Sequence, residues 1–349
     1  MARKYSSKKR MNKIEPAVMT LTFATASPGA GVRGRSYVDL SQVASLVNRR
    51  FYRQGINWAV AGFKVSSLKA GTVNLMKLPN TWVMSNSWEK GFRAWQKMIN
   101  EAVAEADSIR PRFLDFKVYA DADHHALGSG LNLLPISIGT GAVGQQATPG
   151  EWDYSTFEIP LSNVDASAAG GNSVTRDVIA TGGSYLAPGA SGNFAVSLIE
   201  GYASSRALPN IEDPNMPDDA SSAAGSFAQN WMTALFNEGN QQDSQVIQDL
   251  ETQNNIAPYP FENDGVNADT MYPGGANQLS GLEYHDFVTI FETNVTNGVG
   301  IQRLKGGNFP CGLIAVDWTP TNENANLVLQ IDLVPGNHRG YLCEPMTEM

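Results

Sequence analysis

The chain has only two cysteines, Cys311 and Cys343, in 349 residues. Two thiols cannot hold a zinc ion alone and are too few for a disulfide scaffold. One bridge stays open as an option, but the expectation is two buried free thiols. Histidine is scarce as well, at four residues, so no second His-rich segment can complete a metal site. Charged residues make up 17% of the chain, below the usual quarter or so. No apolar run reaches the roughly eighteen residues that a membrane-spanning helix needs, so no membrane partner is expected. GxSxG, HExxH, GxxxxGK[ST] and CxxC are all absent, which removes the common nucleophile, zinc-protease, nucleotide and thiol-redox motifs.

What is present points to a loop-rich β protein. Glycine (33) and proline (18) are plentiful, and the hydrophobic fraction of 42% is that of a folded chain. Met19, Leu21 and Phe23 alternate with threonines, so residues 17–26 read as a strand. A basic stretch followed by AVMTLTFATAS also fits a signal peptide cleaved at Ala24-Thr25-Ala26, but Glu15 and Pro16 interrupt it. YVDLSQVASLVN (37–48) suits a strand or a short helix. Residues 57–67 and 71–79 read as strands joined by a turn at Lys69-Ala70-Gly71, with Ala59, Ala61, Phe63 and Val65 on one face. Ser87 can cap a helix over 88–106, whose Trp88, Phe92, Trp95, Ile99 and Ala102 form a packing stripe. Further strands are expected at 112–121, 155–161, 175–181, 193–202, 285–295, 311–318 and 326–335, and helices at 226–237 and 243–253. The fold class expected is all-β, mainly β with a few helices: an antiparallel jelly-roll β-sandwich with helical insertions. Residues 1–16 would form a disordered basic arm and 17–349 one shell domain, with a loop and helix insertion around 203–255.

Charge is segregated along the chain. Residues 1–56 hold 11 Lys and Arg against Glu15 and Asp39, a net of +9; the remainder holds 14 against 32 acidic residues, a net of −18. The first thirteen residues carry Arg3, Lys4, Lys8, Lys9, Arg10 and Lys13 and no carboxylate. A short polar cationic segment cannot offset its ordering entropy alone, and such arms bind polyanions by releasing counterions. A solubility tail or a nuclear localisation signal is the plainer alternative. A second basic group lies at Arg33 and Arg35 and in NRRFYRQ, where Arg49, Arg50 and Arg53 flank Phe51 and Tyr52. Guanidinium groups among aromatics suit phosphate contact and base stacking. The alternative is that the aromatics are core and the arginines a solvated edge.

Four weaker signals remain. Residues 138–144 contain GxGxxG, but QQATPGEWD follows and cannot open the helix a dinucleotide needs. Asp121, Asp123 and His125 would share a face if their strand continued, and could ligate a divalent metal. Glu212, Asp213, Asp218 and Asp219 crowd oxygen ligands into a proline-fixed loop that could take Ca²⁺, without EF-hand spacing. Asn294 opens a glycosylation sequon inside an expected strand.

The stretch YVDLSQVASLVNRRFYRQGINWAVAGFKV, continuing through KLPNTWVMSNSWEKGFRAWQKM, resembles capsid proteins of circular Rep-encoding single-stranded DNA viruses. The likeness covers roughly residues 35–125; beyond them the order of basic arm and strand-rich body is similar to small icosahedral coat proteins in general pattern. The resemblance implies a jelly roll whose arm faces the particle interior, in a homo-oligomeric shell of about 60 or 180 copies around single-stranded DNA, with RNA as an open alternative. It implies no enzymatic activity and no required cofactor, with Ca²⁺ at subunit interfaces as the candidate bridging ion. It places the protein in the virion and, during assembly, in the host cell, the nucleus included. Such arms are often longer and richer in arginine, and an anionic body departs from that pattern; outward-facing acidic loops would reconcile the two. Two alternatives stand beside this reading. One is a secreted β-sandwich binding module with Trp58, Trp82, Trp152 and Trp318 as a sugar platform. The other is a metal hydrolase built on Asp121, Asp123 and His125.

Overall fold

The computed structural model describes residues 16–102, 115–137, 145–160, 173–183, 187–205, 281–292, 299–323 and 325–348. It is mostly β, with largely antiparallel sheets. Four strands come early: β1 (Thr20–Thr25), β2 (Gly34–Asp39), β3 (Ile56–Ser67) and β4 (Gly71–Lys77). Three more form a small separate sheet: β5 (Thr156–Pro160), β6 (Ser173–Ile179) and β7 (Phe194–Ser197). Five later strands complete the main sheets: β8 (Glu283–Ile290), β9 (Gly300–Phe309), β10 (Leu313–Pro320), β11 (Leu327–Leu333) and β12 (Cys343–Pro345).

Two antiparallel sheets carry the main core. One has the order β1-β11-β3-β9, with β12 also pairing β3; the other has the order β8-β4-β10-β2. Consecutive β3 and β4 lie in different sheets, so the turn between them crosses the sandwich. One face of each of these strands points inward: Leu21 and Phe23 from β1, Val65 from β3, and Leu329 and Ile331 from β11 meet Val73 and Leu75 from β4 and Ile314 and Val316 from β10. The expected face of Ala59, Ala61, Phe63 and Val65 is corrected. A register shift opposite Asp332 and Leu333 puts Trp58 and Val60 inward before it and Phe63 and Val65 inward after it, leaving Ala61 exposed.

Between β4 and β8 the chain leaves the sandwich for residues 78–282. The described part of this stretch packs a second core on the outer face of the β8-β4-β10-β2 sheet, where Tyr37, Leu313 and Ala315 meet Val83, Met84, Trp88 and Trp95. The insertion expected around 203–255 falls within it, and residues 206–255 lie outside the described residues, as do the helices expected at 226–237 and 243–253.

Several elements differ from the sequence reading for local reasons. Residues 37–48 are both things at once: β2 ends at Asp39, whose carboxylate caps helix α1 (Leu40–Asn48). Helix α2 (Trp82–Ala102) starts earlier than Ser87, because Thr81 Oγ1 accepts the Met84 N–H at 3.3 Å. Ser87 is buried and bonds Met84 O. Of the strand expected at 112–121, the described part contributes one parallel bridge, Tyr119 to Ile179. The chain then turns into α3 (Ala122–Leu127) instead of continuing extended. The strand expected at 193–202 stops at Ser197, and α4 (Leu198–Ser205) follows. Strand β9 has no counterpart in the sequence reading. Cys311 is buried, Cys343 half-buried, and both are free thiols.

Leu329 is fully buried between the sheets and Ile301 is 53% exposed on the β9 edge. Leu329→Ala should lose about 2–5 kcal/mol of stability by chemical denaturation, and Ile301→Ala about 0.5 or less.

Candidate nucleic-acid interface

The loop that carries Arg49, Arg50 and Arg53 is fixed at both ends by one carboxylate. Asp39 Oδ1 accepts the Ser41 and Gln42 N–H groups at 2.9 and 3.3 Å, which starts α1. Asp39 Oδ2 accepts from Gln54 Nε2 and Trp152 Nε1, both at 3.1 Å, and from Tyr154 OH at 3.2 Å. Gln54 closes the far end of the loop by pairing with both backbone groups of Val118. Burial pushes the Asp39 carboxyl up to about 6, although these donors pull against it.

Between those anchors the aromatics divide. Tyr52 is fully buried, its ring beside Trp58 and Tyr341, and its hydroxyl donates to Arg339 O at 2.9 Å. Phe51 is half-buried and tilts against Trp152 at 6.2 Å. Arg49, Arg50 and Arg53 are exposed. Arg49 ends α1 in a left-handed conformation (φ 54°), which turns the chain outward. The structure adds a cation that sequence reasoning missed. Arg339 is exposed at φ 50° and donates to Phe51 O, with His338 beside Tyr52. A lone arginine in NHRGY carries no charge-run signal.

The root of the basic arm reaches the same corner. Asn48, the last residue of α1, accepts the Val18 N–H at 3.1 Å and donates to Tyr341 OH at 2.7 Å; Tyr341 OH in turn donates to Val18 O at 2.7 Å. The chain therefore enters β1 tied to Asn48, the residue just before Arg49. Arg3, Lys4, Lys8, Lys9, Arg10 and Lys13 themselves lie outside the described residues. A cleft of about 270 Å³ beside this corner is lined by Gln42, Ser45, Arg49, Arg50, Phe51 and Glu151, among others.

Arg35 does not join this surface, which corrects its assignment to nucleic acid. Its guanidinium grips Asp317 bidentately at 2.7 and 2.9 Å and reaches Asp123 at 2.9 Å and Asp121 at 3.5 Å. Its side chain is 16% exposed, and hydrogen bonding to Asp317 raises its pKa despite burial. Arg33 sits 3.7 Å from the same Asp317 carboxylate but is 57% exposed.

The metal constellation is also corrected. Asp121 caps α3 through the His124 N–H and accepts from Tyr37 OH at 2.6 Å. Asp123 faces Arg35, and buried His125 pairs with Asp177 at 2.9 Å. His124 Nδ1 accepts the Ala120 N–H, so Nε2 carries the proton donated to Asn132; burial pulls its pKa down to about 4. Among the described residues no group of three or more His, Cys, Asp or Glu side chains is placed to hold a metal ion. Glu212, Asp213, Asp218 and Asp219, the GxGxxG run at 138–144 and the Asn294 sequon lie outside the described residues. Trp58, Trp152 and Trp318 are buried and Trp82 packs against the second core, so these four form no exposed sugar platform.

The chain matches no family model, no curated protein and no solved structure.

Arg35→Met strands the buried Asp317 carboxylate and should cost about 3–5 kcal/mol by chemical denaturation, against about 0.5 or less for exposed Arg49→Met. The Asp39 carboxyl ionises near 3.8 when unfolded and about 6 when folded, so its contribution to stability is full below pH 4 and is lost as pH rises through 6. The stability of wild type minus that of Asp39→Asn should therefore fall by about 3 kcal/mol across that window. The subtraction removes His124, which works in the opposite sense. A flat difference would contradict the assignment.

Proposed function

We propose that this chain is a structural coat protein that assembles into a closed icosahedral shell and packages single-stranded nucleic acid through its basic first segment. The observation that carries the proposal is the strand order joined to the position of the cationic corner. Setting aside the short β12, which also pairs β3, the strands of the two sheets pair first with last in chain order: β1 with β11, β2 with β10, β3 with β9, β4 with β8. These pairs alternate between the two sheets. That pattern supports reading the two sheets as one long four-pair hairpin wrapped on itself, a jelly roll. The stretch at 78–282 sits at the closed end of that hairpin, so it can enlarge without disturbing the ladder.

The chemistry asked of the corner is sequence-independent. Arg49, Arg50, Arg53 and Arg339 stand beside the root of the arm, so cations of the fold and of the arm can neutralise neighbouring phosphates of one strand. Arms alone supply about 360 cations in a shell of about 60 copies, which favours a contribution from the folded arginines. The anionic remainder of the chain, at net −18, then belongs on the outer surface. The reading requires neither catalysis nor a cofactor; Ca²⁺ between subunits is compatible with it.

Purified full-length protein is expected to form particles holding nuclease-protected nucleic acid. Deleting residues 2–13 should keep the particles and reduce the protected nucleic acid several-fold. Equal packaging by the truncated chain would remove the arm from the mechanism, and absence of particles from the full chain would remove the coat reading.

A further inference from the structure

The far side of the arginine loop opens on a larger cleft, of about 630 Å³, between α2 and the start of β3. Its inner wall is aromatic. The Trp88 and Phe92 rings stack at 5.2 Å and 11°, and both tilt against Phe116 at 5.9 and 6.0 Å. Trp88 and Phe116 are buried, whereas Phe92 is half-buried and borders the open space. Gly55 lets the indole close this wall, because a Cβ there would lie 2.2 Å from a Trp88 ring carbon. The rim is polar and cationic: exposed Arg53 on one side, Arg93 and Gln96 of α2 on the other, with Arg93 paired to Glu89. His338 also lines the cleft and sits beside Tyr52, so the rim runs on into the corner that carries Arg339.

We propose that this cleft holds one unstacked nucleobase of the packaged strand, stacked on Phe92, with Arg53 and Arg93 at the flanking phosphates. The inference rests on the coat reading and deepens it, from phosphate neutralisation to a defined base subsite. The volume lies in the range of sites for single small organic groups. An aromatic face bordered by guanidinium groups suits the π-face and phosphates of a nucleotide better than it suits an aliphatic ligand. The Gln96 amide and the Glu89 carboxylate can meet polar base edges without selecting one base. Duplex nucleic acid is disfavoured, because its bases are stacked and their faces covered. The same chemistry serves DNA and RNA.

The test uses full-length protein and fluorescence anisotropy with three oligomers of one length: oligo-dT, oligo-U and an abasic deoxyribose oligomer. Wild type should bind the two base-bearing oligomers more tightly than the abasic one. Phe92→Ala should weaken oligo-dT and oligo-U about five- to tenfold and leave the abasic oligomer unchanged. Arg53→Met should weaken all three and lower the salt slope by about one. Photo-cross-linking of bromouracil-bearing oligomer to wild type covers the case in which Phe92→Ala fails to fold; adducts should map to residues 88–96. Equal wild-type affinity for base-bearing and abasic oligomers, or adducts elsewhere, would overturn the base subsite while leaving phosphate binding intact. No binding of any oligomer would overturn the nucleic-acid reading itself.

Discussion

The buried carboxylate of Asp39 is the constraint on which the cationic corner depends. It ends β2, starts α1, and receives the side chains of Gln54, Trp152 and Tyr154. Gln54 comes from the arginine loop, Trp152 and Tyr154 from the long inserted stretch, and Asp39 itself from the end of β2, so one anion ties three parts of the fold. A buried carboxylate is costly unless it is fully hydrogen-bonded, and five donors meet this one. The geometry of Arg49, Arg50 and Arg53 follows from it, because their loop is held at Asp39 on one side and at Gln54 on the other.

A second ion cluster does the opposite work. Arg35 stands close in sequence to Arg33 and the arm, yet it faces inward to Asp317, Asp121 and Asp123. It joins β2, β10 and the start of α3 on the outer face of one sheet, where the second core begins. The basic residues of the first sixth of the chain thus differ in setting: Arg35 is structural, whereas Arg49, Arg50 and Arg53 are exposed. Net charge alone cannot separate them; burial and partner do.

Much of the sandwich was legible in the sequence, and the reasons are particular. Strands β1, β4 and β11 bury one face, and their period-2 alternation survives translation into structure, while β10 is buried on both faces and reads as a continuous apolar run. Strand β9 was not legible, because an edge strand with three glycines buries little beyond Leu304 and Phe309. The bulge at Ala61 breaks the alternation by one residue, which no window average detects. Asp121-Ala122-Asp123-His124 reads equally as a strand end or as a capped helix start, and the cap prevailed. For the site, the cationic residues were visible but their partners were not. Arg35 meets Asp317 across 282 residues of sequence, and Arg339 meets Phe51 across 288. Asp39 carried a local signature, an aspartate just before an apolar helical run, but its wider network is a tertiary fact.

Negative-stain microscopy of the purified full-length chain, read with its ultraviolet absorbance ratio, tests the coat assignment most directly. Uniform closed shells with excess nucleic-acid absorbance are the expected result, and their diameter bounds the copy number. A soluble monomer with a protein-like ratio, across several salt and Ca²⁺ conditions, would contradict it.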